Sequence, residues 1–270
     1  MNGQKMTNKE YREHEGISKS SLSNIAKSPM HFKYYMDNPQ EDTPSLLFGR
    51  ALHKYILEKD DFFSEFAICP VCDRRTKEGK EICKKFEEES VGKDIISTED
   101  FEDIKKMYEV AYANPYVKKL LEGEHELSFF WVDEQTGEPC KCRPDALVEI
   151  GGQHIIVDYK TTENAETESF KQSAIKYSYD LQAGMYSEGM KKCTGNDYLF
   201  MFIAQEKKPP YAINIIQADE FFIKEGTLLF HDLLEILHEC KEKNEYPGYM
   251  GFENEVSNLS LPNWLLKNFE

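Results

Sequence analysis

The sequence lacks a hydrophobic segment long enough to cross a membrane. The longest unbroken apolar run, Tyr198 to Ala204, has seven residues, whereas a membrane-spanning helix needs about 20. The first residues, MNGQKMTNKEYREHEG, also lack the apolar stretch of a secretory signal peptide. We therefore expect a soluble, cytoplasmic protein without a membrane partner.

Cysteine is scarce: there are seven in 270 residues, an odd number. We therefore expect reduced thiols rather than a disulfide framework. Cys69 and Cys72 with Cys83, and the pair Cys140 and Cys142, raise the alternative of zinc or an iron–sulfur cluster. No second Cys-x-x-Cys or Cys/His pair completes a set of four ligands, so ordinary buried or loop thiols are the preferred interpretation.

Positive charge is in deficit, with 33 Lys and Arg against 49 Asp and Glu and a net charge of −16. This balance argues against a protein that coats nucleic acid nonspecifically, because that mode of binding depends on many cationic contacts to phosphates. It does not exclude a local DNA site. Cations can be concentrated in one groove, and carboxylates that bind a divalent metal add to the negative count.

No internal repeat, low-complexity tract or long linker divides the chain, and 40% hydrophobic and 13% aromatic residues suit one domain over residues 1–270. The spacing of apolar residues and the positions of helix-capping residues predict helices first, followed by a meander of three strands. A crossover helix, two more strands and a long C-terminal helix follow. The predicted helices run from Ser20 or Ser21 towards Met36 and over 44–58, 99–113, 179–191 and 220–241. This order indicates an α/β fold with helices on the faces of a sheet.

The stretch CRPDALVEIGGQHIIVDYKTT places charged residues in an apolar, β-branched segment. If Gly151-Gly152 is a two-residue hairpin turn, Ile150 pairs with Gln153, and Asp145 lies across from Asp158. Facing carboxylates repel each other and are costly to bury unless a cation lies between them. A divalent metal such as Mg²⁺, which prefers oxygen ligands, resolves this conflict.

Lys160 points to the same face of its strand as Asp158, because side chains alternate along a strand. Its ammonium can orient an attacking water or stabilise charge that develops on a phosphate. A turn centred on Gln135-Thr136 also places Glu126 beside Asp145. The alternative is that these are exposed residues at strand ends and that Lys160 is an ion-pair partner.

Pro144-Asp145, twelve intervening residues and then Asp158-Tyr159-Lys160 resemble the PD-(D/E)xK signature of metal-dependent nucleases. Further segments, in the same order, resemble the exonuclease domain of the RecE family (exodeoxyribonuclease VIII) from about Gly16 to Phe269. These segments are ISKSSLSNIAKSP, LLFGRALHKYILE, DRRTKEGK, a strand ending in SFFW, CRPD, DYKTT, YDLQAGMYSEG and LSLPNW. The resemblance implies a restriction-endonuclease-like core, in which helices flank a central mixed β-sheet.

By this resemblance, Asp145 and Asp158 bind the metal and Lys160 assists the attack of water. The peptide carbonyl of Tyr159 is a further implied ligand. His53 matches a helix histidine near the metal, and its alternative is a histidine satisfied in a helix interface.

Three more positions match site residues of the resembled family. Glu126 matches the acid on the preceding strand. Gln182 and Tyr186 match a Q-x3-Y element; four residues apart on a helix, they share one face and could contact DNA or order the site. The alternative for this pair is an ordinary half-buried helix face.

The run Asp73-Arg74-Arg75-Thr76-Lys77 is locally basic in an acidic chain. Because guanidinium groups grip phosphate bidentately, Arg74 and Arg75 are candidate DNA contacts. A solvated loop with charges of both signs is the alternative.

The function implied by the resemblance is a Mg²⁺-dependent 5′–3′ exonuclease, with Mn²⁺ as a possible substitute metal. Such an enzyme degrades linear double-stranded DNA from its ends, assembles as a homotetrameric ring and supplies single strands to a RecT-like annealing protein in a bacterial or prophage recombination system. The rival functions are an endonuclease or repair nuclease with the same core, and a non-catalytic DNA-binding relative. Intact Asp145, Asp158 and Lys160 speak against the last.

Overall fold

The computed structural model of the protein describes residues 3–38, 43–72 and 75–261. Within those ranges the helices, α1 to α11 in chain order, are Asn8–Glu13, Lys19–Lys27, Pro29–Asp37, Pro44–Leu57, Phe62–Glu65, Lys77–Glu89, Thr98–Ala113, Pro115–Leu120, Thr167–Lys176, Tyr179–Thr194 and Glu220–Lys243. The strands, β1 to β9, are Phe66–Ile68, Asp94–Ile96, Glu124–His125, Phe129–Val132, Pro139–Cys142, Ala146–Ile150, Gln153–Thr162, Tyr198–Glu206 and Ile213–Gln217. The predicted order is confirmed for the central sheet and its crossover. It differs at the first helix, in the meander, and in the first third of the chain, where the short strands β1 and β2 lie between helices.

The first predicted helix is two helices, α2 and α3, and its N-cap is Ser18 rather than Ser20 or Ser21. Ser28 ends α2 and caps α3, with its ψ at 155° and its side chain accepting the N–H of His31. The cause is Pro29, which lacks an N–H and keeps the preceding residue out of the helical region. The predicted continuous helix towards Met36 is therefore wrong at this one joint.

The central sheet has five strands in the order β3-β6-β7-β8-β9. Strands β7 and β8 run parallel, whereas the other neighbours in this sheet are antiparallel. The parallel pair is joined by the crossover through α9 and α10, as a parallel connection requires. The expected mixed sheet flanked by helices is confirmed.

The predicted meander of three strands is divided differently. Its first strand is split into β3 and β4, and its second into β5 and β6, because the backbone bends at Glu126, which has φ of 53°. Strands β4 and β5 form a separate two-stranded sheet, and β1 and β2 form a parallel pair. The bend leaves residues 126–128 and 143–145 outside the named strands. Among them Glu126, Arg143 and Asp145 are partly exposed at the end of the sheet, and the other three are buried.

Alternation along β7 divides the apolar residues between two cores. Ile156 belongs to the core formed with α9, α10 and α11, whereas Val157 and Tyr159 belong to the core formed with α4, α7 and α8. Asp158 and Lys160 have the same parity as Ile156 and so face α10. The sheet thereby directs both charged residues to one side.

Helices α10 and α11 cross with their backbones in contact. A Cβ on Gly184 would lie 2.2 Å from the backbone nitrogen of Thr227, and one on Gly226 would lie 1.7 Å from the carbonyl oxygen of Asp180. Only glycine allows this close approach. The crossing fixes α10, which carries Gln182 and Tyr186, against α11.

None of the helices in the described ranges has the length and apolar character needed to span a membrane. Cys72 and Cys83 lie at disulfide distance, with S–S 2.24 Å, while the other five cysteines are free. The expectation of reduced thiols throughout is therefore wrong for this pair. Cys83 is on α6 and Cys72 lies after β1, and the spacing of the cysteines alone did not indicate that they meet.

Candidate metal-dependent active site

The β6–β7 hairpin positions Asp145 beside Asp158. Its register pairs Ile150 with Gln153 and continues to Ala146 and Val157, which confirms the predicted two-residue turn. Asp145 is the next residue beyond this ladder, and its Oδ2 accepts a hydrogen bond of 2.6 Å from the backbone N–H of Tyr159. The carboxylate is therefore tied to the strand that carries Asp158.

Glu126 reaches the same place from the other side. The predicted register between the first two strands of the meander is confirmed, since His125 pairs with Ala146 and Phe129 with Cys142. At the bend between these pairs the N–H of Glu126 donates to the carbonyl of Asp145 over 3.2 Å. The two acidic residues are thus adjacent, as expected.

His53 approaches this pair from helix α4. Its Nδ1 lies 3.5 Å from Oδ2 of Asp145, and its ring packs edge-on against that of Tyr159. His53, Glu126 and Asp145 each offer one ligand atom, and these atoms all lie within 4.8 Å of one another. The structure therefore adds Glu126 to the possible metal ligands.

Asp158 forms a second, deeper part of the site. It is only 1% exposed; its Oδ1 accepts a 2.5 Å hydrogen bond from Nε2 of Gln182, and its Oδ2 lies 2.6 Å from Nζ of Lys160. The same ammonium donates to Oε1 of Gln182 over 3.0 Å. One glutamine thus holds both charged groups of β7.

The donor set fits a divalent cation. Oδ2 of Asp158 is buried and receives no hydrogen bond of normal geometry, although the Lys160 ammonium is near. The three carboxylates suit Mg²⁺ and Mn²⁺, and the imidazole is a ligand that Mn²⁺ and other transition metals also accept. His53, Glu126, Asp145 and Asp158 are therefore the residues that could hold a metal here.

The pKa values of the acids diverge. Burial opposes ionisation of Asp145, but the His53 ring beside it brings its pKa below the usual value. Burial, reinforced by the charge of Asp145, raises the pKa of Asp158 and raises that of Glu126 to about 7. Bringing like charges together without a cation has this effect.

The pKa values of the two basic groups, His53 and Lys160, shift in the direction opposite to the one that burial alone would cause. Burial favours the neutral forms, yet Asp145 raises the pKa of His53, and Asp158 with Asp145 raises that of Lys160. Lys160 is therefore held as an ammonium.

Two clefts lie beside the acidic residues, and Arg143 lines both. One, of about 970 Å³, is lined by His53, Glu126 and Arg143 among others. The other, of about 1050 Å³, is lined by Lys160, Gln182 and Tyr186. Six cations and two carboxylates line this second cleft: Arg12, Lys19, Lys141, Arg143, Lys160 and Lys241, with Glu13 and Glu15. In a chain with a net charge of −16, this concentration of positive charge is local.

The other residues predicted for the site do not all lie near the acidic residues. Tyr186 lines the second cleft and packs its ring near Phe200, while the side chain of Tyr159 is buried on the opposite face of the sheet and donates to Gln205. The carbonyl of Tyr159 as a ligand stays a prediction. Arg75 is exposed and lines neither cleft, and Arg74 lies outside the described residues.

Arg143 was missed by the sequence reasoning. Its side chain, only 7% exposed, places Nε 3.0 Å from Oε2 of Glu126 and donates to the carbonyl of Met6 and to Oδ1 of Asn8. It therefore joins the N-terminal segment to the acidic cluster. Its place two residues before Asp145, within CRPD, was the available signal.

Lys19 was also missed. Its ammonium donates to the carbonyl of Tyr177 over 2.8 Å, and both Lys19 and Lys160 lie over the ring of Tyr179. Burial, together with the nearby charge of Lys160, lowers the pKa of Lys19 to about 8. No spacing pattern relates Lys19 to Lys160, because their elements meet only in the folded protein.

A family model described as "PDDEXK-like domain of unknown function (DUF3799)" matches residues 18–256 of the chain. The chain belongs to this family. The expected PD-(D/E)xK assignment is thereby confirmed, whereas the narrower RecE assignment and the single domain over residues 1–270 stay predictions.

One solved structure has a similar overall fold. A crystal structure of a protein named "Putative exonuclease", from Eubacterium rectale, superposes with a TM-score of 0.64 over 98% of each chain at 16% identity. A structure of a protein named SSO0001 covers 73% of this chain and 88% of that one, with a TM-score of 0.31 and 14% identity. No curated protein matches the chain.

Proposed function

We propose that this PDDEXK-like protein is a divalent-metal-dependent DNA exonuclease that hydrolyses phosphodiester bonds. One observation carries the proposal: Asp145, Asp158 and Lys160 are brought together beside a cleft that Lys160 lines, and in that cleft six cations face two carboxylates. Carboxylates that repel each other without a cation, placed next to a groove suited to phosphates, are the arrangement that metal-assisted hydrolysis requires.

Each side chain then has a distinct part. His53, Glu126, Asp145 and Asp158 would hold the metal, which when bound would polarise the phosphate and favour the attack of water. Lys160 presents an ammonium where negative charge grows on the attacked phosphate. Gln182 touches both Asp158 and Lys160 and acts as a positioning residue.

The substrate is proposed to be linear duplex DNA. Arg12, Lys19 and Lys160 line the cationic cleft, where they can contact a phosphate backbone. Lys19 already donates to one backbone carbonyl, and Lys141 donates to two, those of Tyr11 and His14. The 5′–3′ direction, Mg²⁺ as the metal, the homotetrameric ring and delivery of single strands to a RecT-like annealing protein remain part of the proposal through the RecE resemblance.

The deciding assay compares end-labelled linear duplex with covalently closed circular duplex, in Mg²⁺, in Mn²⁺ and in EDTA. Loss of label from 5′ ends in metal, with closed circles intact, is expected. Cutting of closed circles would favour the endonuclease alternative, and binding of DNA without hydrolysis in any metal would favour the non-catalytic alternative.

Variants of the site make this test specific. His53→Ala should lower the rate without lowering the melting temperature, and Lys33→Met, in an exposed ion pair with Asp37, is the matched surface control. Normal turnover by Asp158→Asn or Lys160→Met would refute the assignment of the site. Light scattering reports whether the active species is a tetramer.

A further inference from the structure

A second group of possible metal ligands lies outside the candidate active site and shares no residue with it. Asp133 follows β4, Glu188 is on α10 and His231 is on α11, and one ligand atom from each lies within 4.8 Å of the others. Nε2 of His231 is 2.8 Å from Oε2 of Glu188, and Nδ1 is 3.8 Å from Oδ2 of Asp133. Three separate elements therefore converge on one point.

Asp133 carries an unpartnered oxygen into this cluster. The residue is 1% exposed; its Oδ1 accepts hydrogen bonds from the N–H of Gln135 and from the N–H and hydroxyl of Thr136, at 2.9 to 3.2 Å. Its Oδ2 is buried and has no hydrogen bond. A buried carboxylate oxygen without a donor is costly, and a cation in the cluster removes that cost.

Lys192 is the cation nearest to the cluster, and its single positive charge does not neutralise both carboxylates. Its Nζ lies 3.1 Å from Glu188 but 3.8 Å from Oδ2 of Asp133, beyond hydrogen-bond range. One ammonium faces two carboxylates, which leaves an excess negative charge for a divalent ion. The side chain of Lys192 is 27% exposed, so its long stem can move the ammonium into solvent.

The cluster is held by rigid packing. The backbone contact of α10 with α11 at Gly184 and Gly226 fixes the two helices that carry Glu188 and His231. A Cβ on Gly189 would lie 2.4 Å from the ring of Trp131, which holds β4 against α10 two residues before Asp133. Ligands fixed on packed elements favour metal binding because little ordering remains to be done.

We infer that Asp133, Glu188 and His231 form a second metal site, for a divalent transition metal of the zinc class, that braces α10 against α11 and the end of β4. One imidazole and two carboxylates are ligand types that bind Zn²⁺, and a water molecule would complete the tetrahedral set of four. Mg²⁺ is disfavoured because it prefers an octahedral shell of oxygen. Since α10 also carries Gln182, occupancy would stabilise the helix that positions Asp158 and Lys160.

The test uses the full chain with His53→Ala, Asp145→Asn and Asp158→Asn, which leaves only Glu126 of the four candidate ligands at the active site. Calorimetry and thermal unfolding are followed with Zn²⁺ and with Mg²⁺, and Co²⁺ serves as a spectroscopic probe. One equivalent of Zn²⁺ or Co²⁺ should bind and raise the melting temperature, while Mg²⁺ should do neither. The Co²⁺ spectrum should lack the thiolate charge-transfer band that ligation by a cysteine would give.

Two further changes on this background separate the site from a simple ion-pair network. His231→Ala should weaken Zn²⁺ binding about tenfold or more, with Glu188→Gln as a second variant if the first does not fold. Lys192→Met should strengthen it, because a competing cation is removed. Absence of Zn²⁺ and Co²⁺ binding by the folded background protein, or binding unchanged in folded His231→Ala and Glu188→Gln, would overturn the inference.

Discussion

Replacing Lys160 by methionine removes the ammonium that lies 2.6 Å from Oδ2 of Asp158 and leaves a side chain of similar length. Asp158 is 2% exposed at its side chain and Lys160 is 18% exposed, so the pair is largely desolvated. Removing one partner of a buried pair costs about 3–5 kcal/mol. Because water can reach Lys160, we expect the lower end, about 3 kcal/mol, including about 1 kcal/mol for the lost hydrogen bond to Gln182.

The expected loss of stability depends on pH, and the direction of this dependence follows from the pKa of Asp158. The pKa of this acid is already raised by burial, and without Lys160 it rises further. At a pH between the ordinary pKa of an aspartate and the raised pKa of Asp158, the folded protein binds a proton that the unfolded chain does not. This proton uptake stabilises the folded state as the pH falls. The loss of stability in Lys160→Met should therefore be largest at neutral pH and shrink as the pH falls through the raised pKa of Asp158.

The measurement is unfolding by urea and by heat in EDTA at neutral and at mildly acidic pH. A loss of about 3 kcal/mol corresponds to a melting temperature lower by about 5 °C for a chain of this size, whose entropy of unfolding is about 0.6 kcal/mol/K. Lys33→Met breaks an exposed i, i+4 pair with Asp37 and should cost only about 0.5 kcal/mol. A Lys160→Met protein as stable as wild type at neutral pH, or a deficit that does not change with pH, would refute this reasoning.

Three other expectations concern Arg143, Glu126 and two glycines. Arg143→Met should lower the free energy of unfolding by about 3 kcal/mol or more, because it leaves Glu126 and the N-terminal segment without their shared partner. Urea unfolding measures this loss, and a loss no larger than that of Lys33→Met would contradict the expectation. Affinity for a divalent metal should fall as the pH drops through about 7, where Glu126 takes up its proton, and calorimetry on Glu126→Gln should show this step removed. Gly226→Ala should cost about 3 kcal/mol or more, since its Cβ would lie 1.7 Å from the carbonyl oxygen of Asp180. Gly49→Ala, on a helix with nothing within 4 Å of the new methyl, should gain about 0.5–1 kcal/mol; equal melting temperatures for the two glycine variants would contradict both expectations.

The sequence determined the hairpin that builds half of the candidate site. Gly151-Gly152 selects a two-residue turn, the turn sets the register, and the period of two in a strand places Asp158 and Lys160 on one face. These are local rules, so they held without knowledge of the rest of the fold. The bend at Glu126 escaped them because its positive φ has no signal in an alternating strand pattern.

Only the tertiary structure decided which side chains complete that half-site. His53 meets Asp145, Gln182 holds Asp158, and Arg143 joins the N-terminal segment to Glu126 through contacts between elements distant in the chain. Their distances depend on how helices pack against the sheet, and at α10 and α11 that packing is set by backbone contact at two glycines. Such packing depends on many residues at once, so a pattern read along one segment cannot specify it.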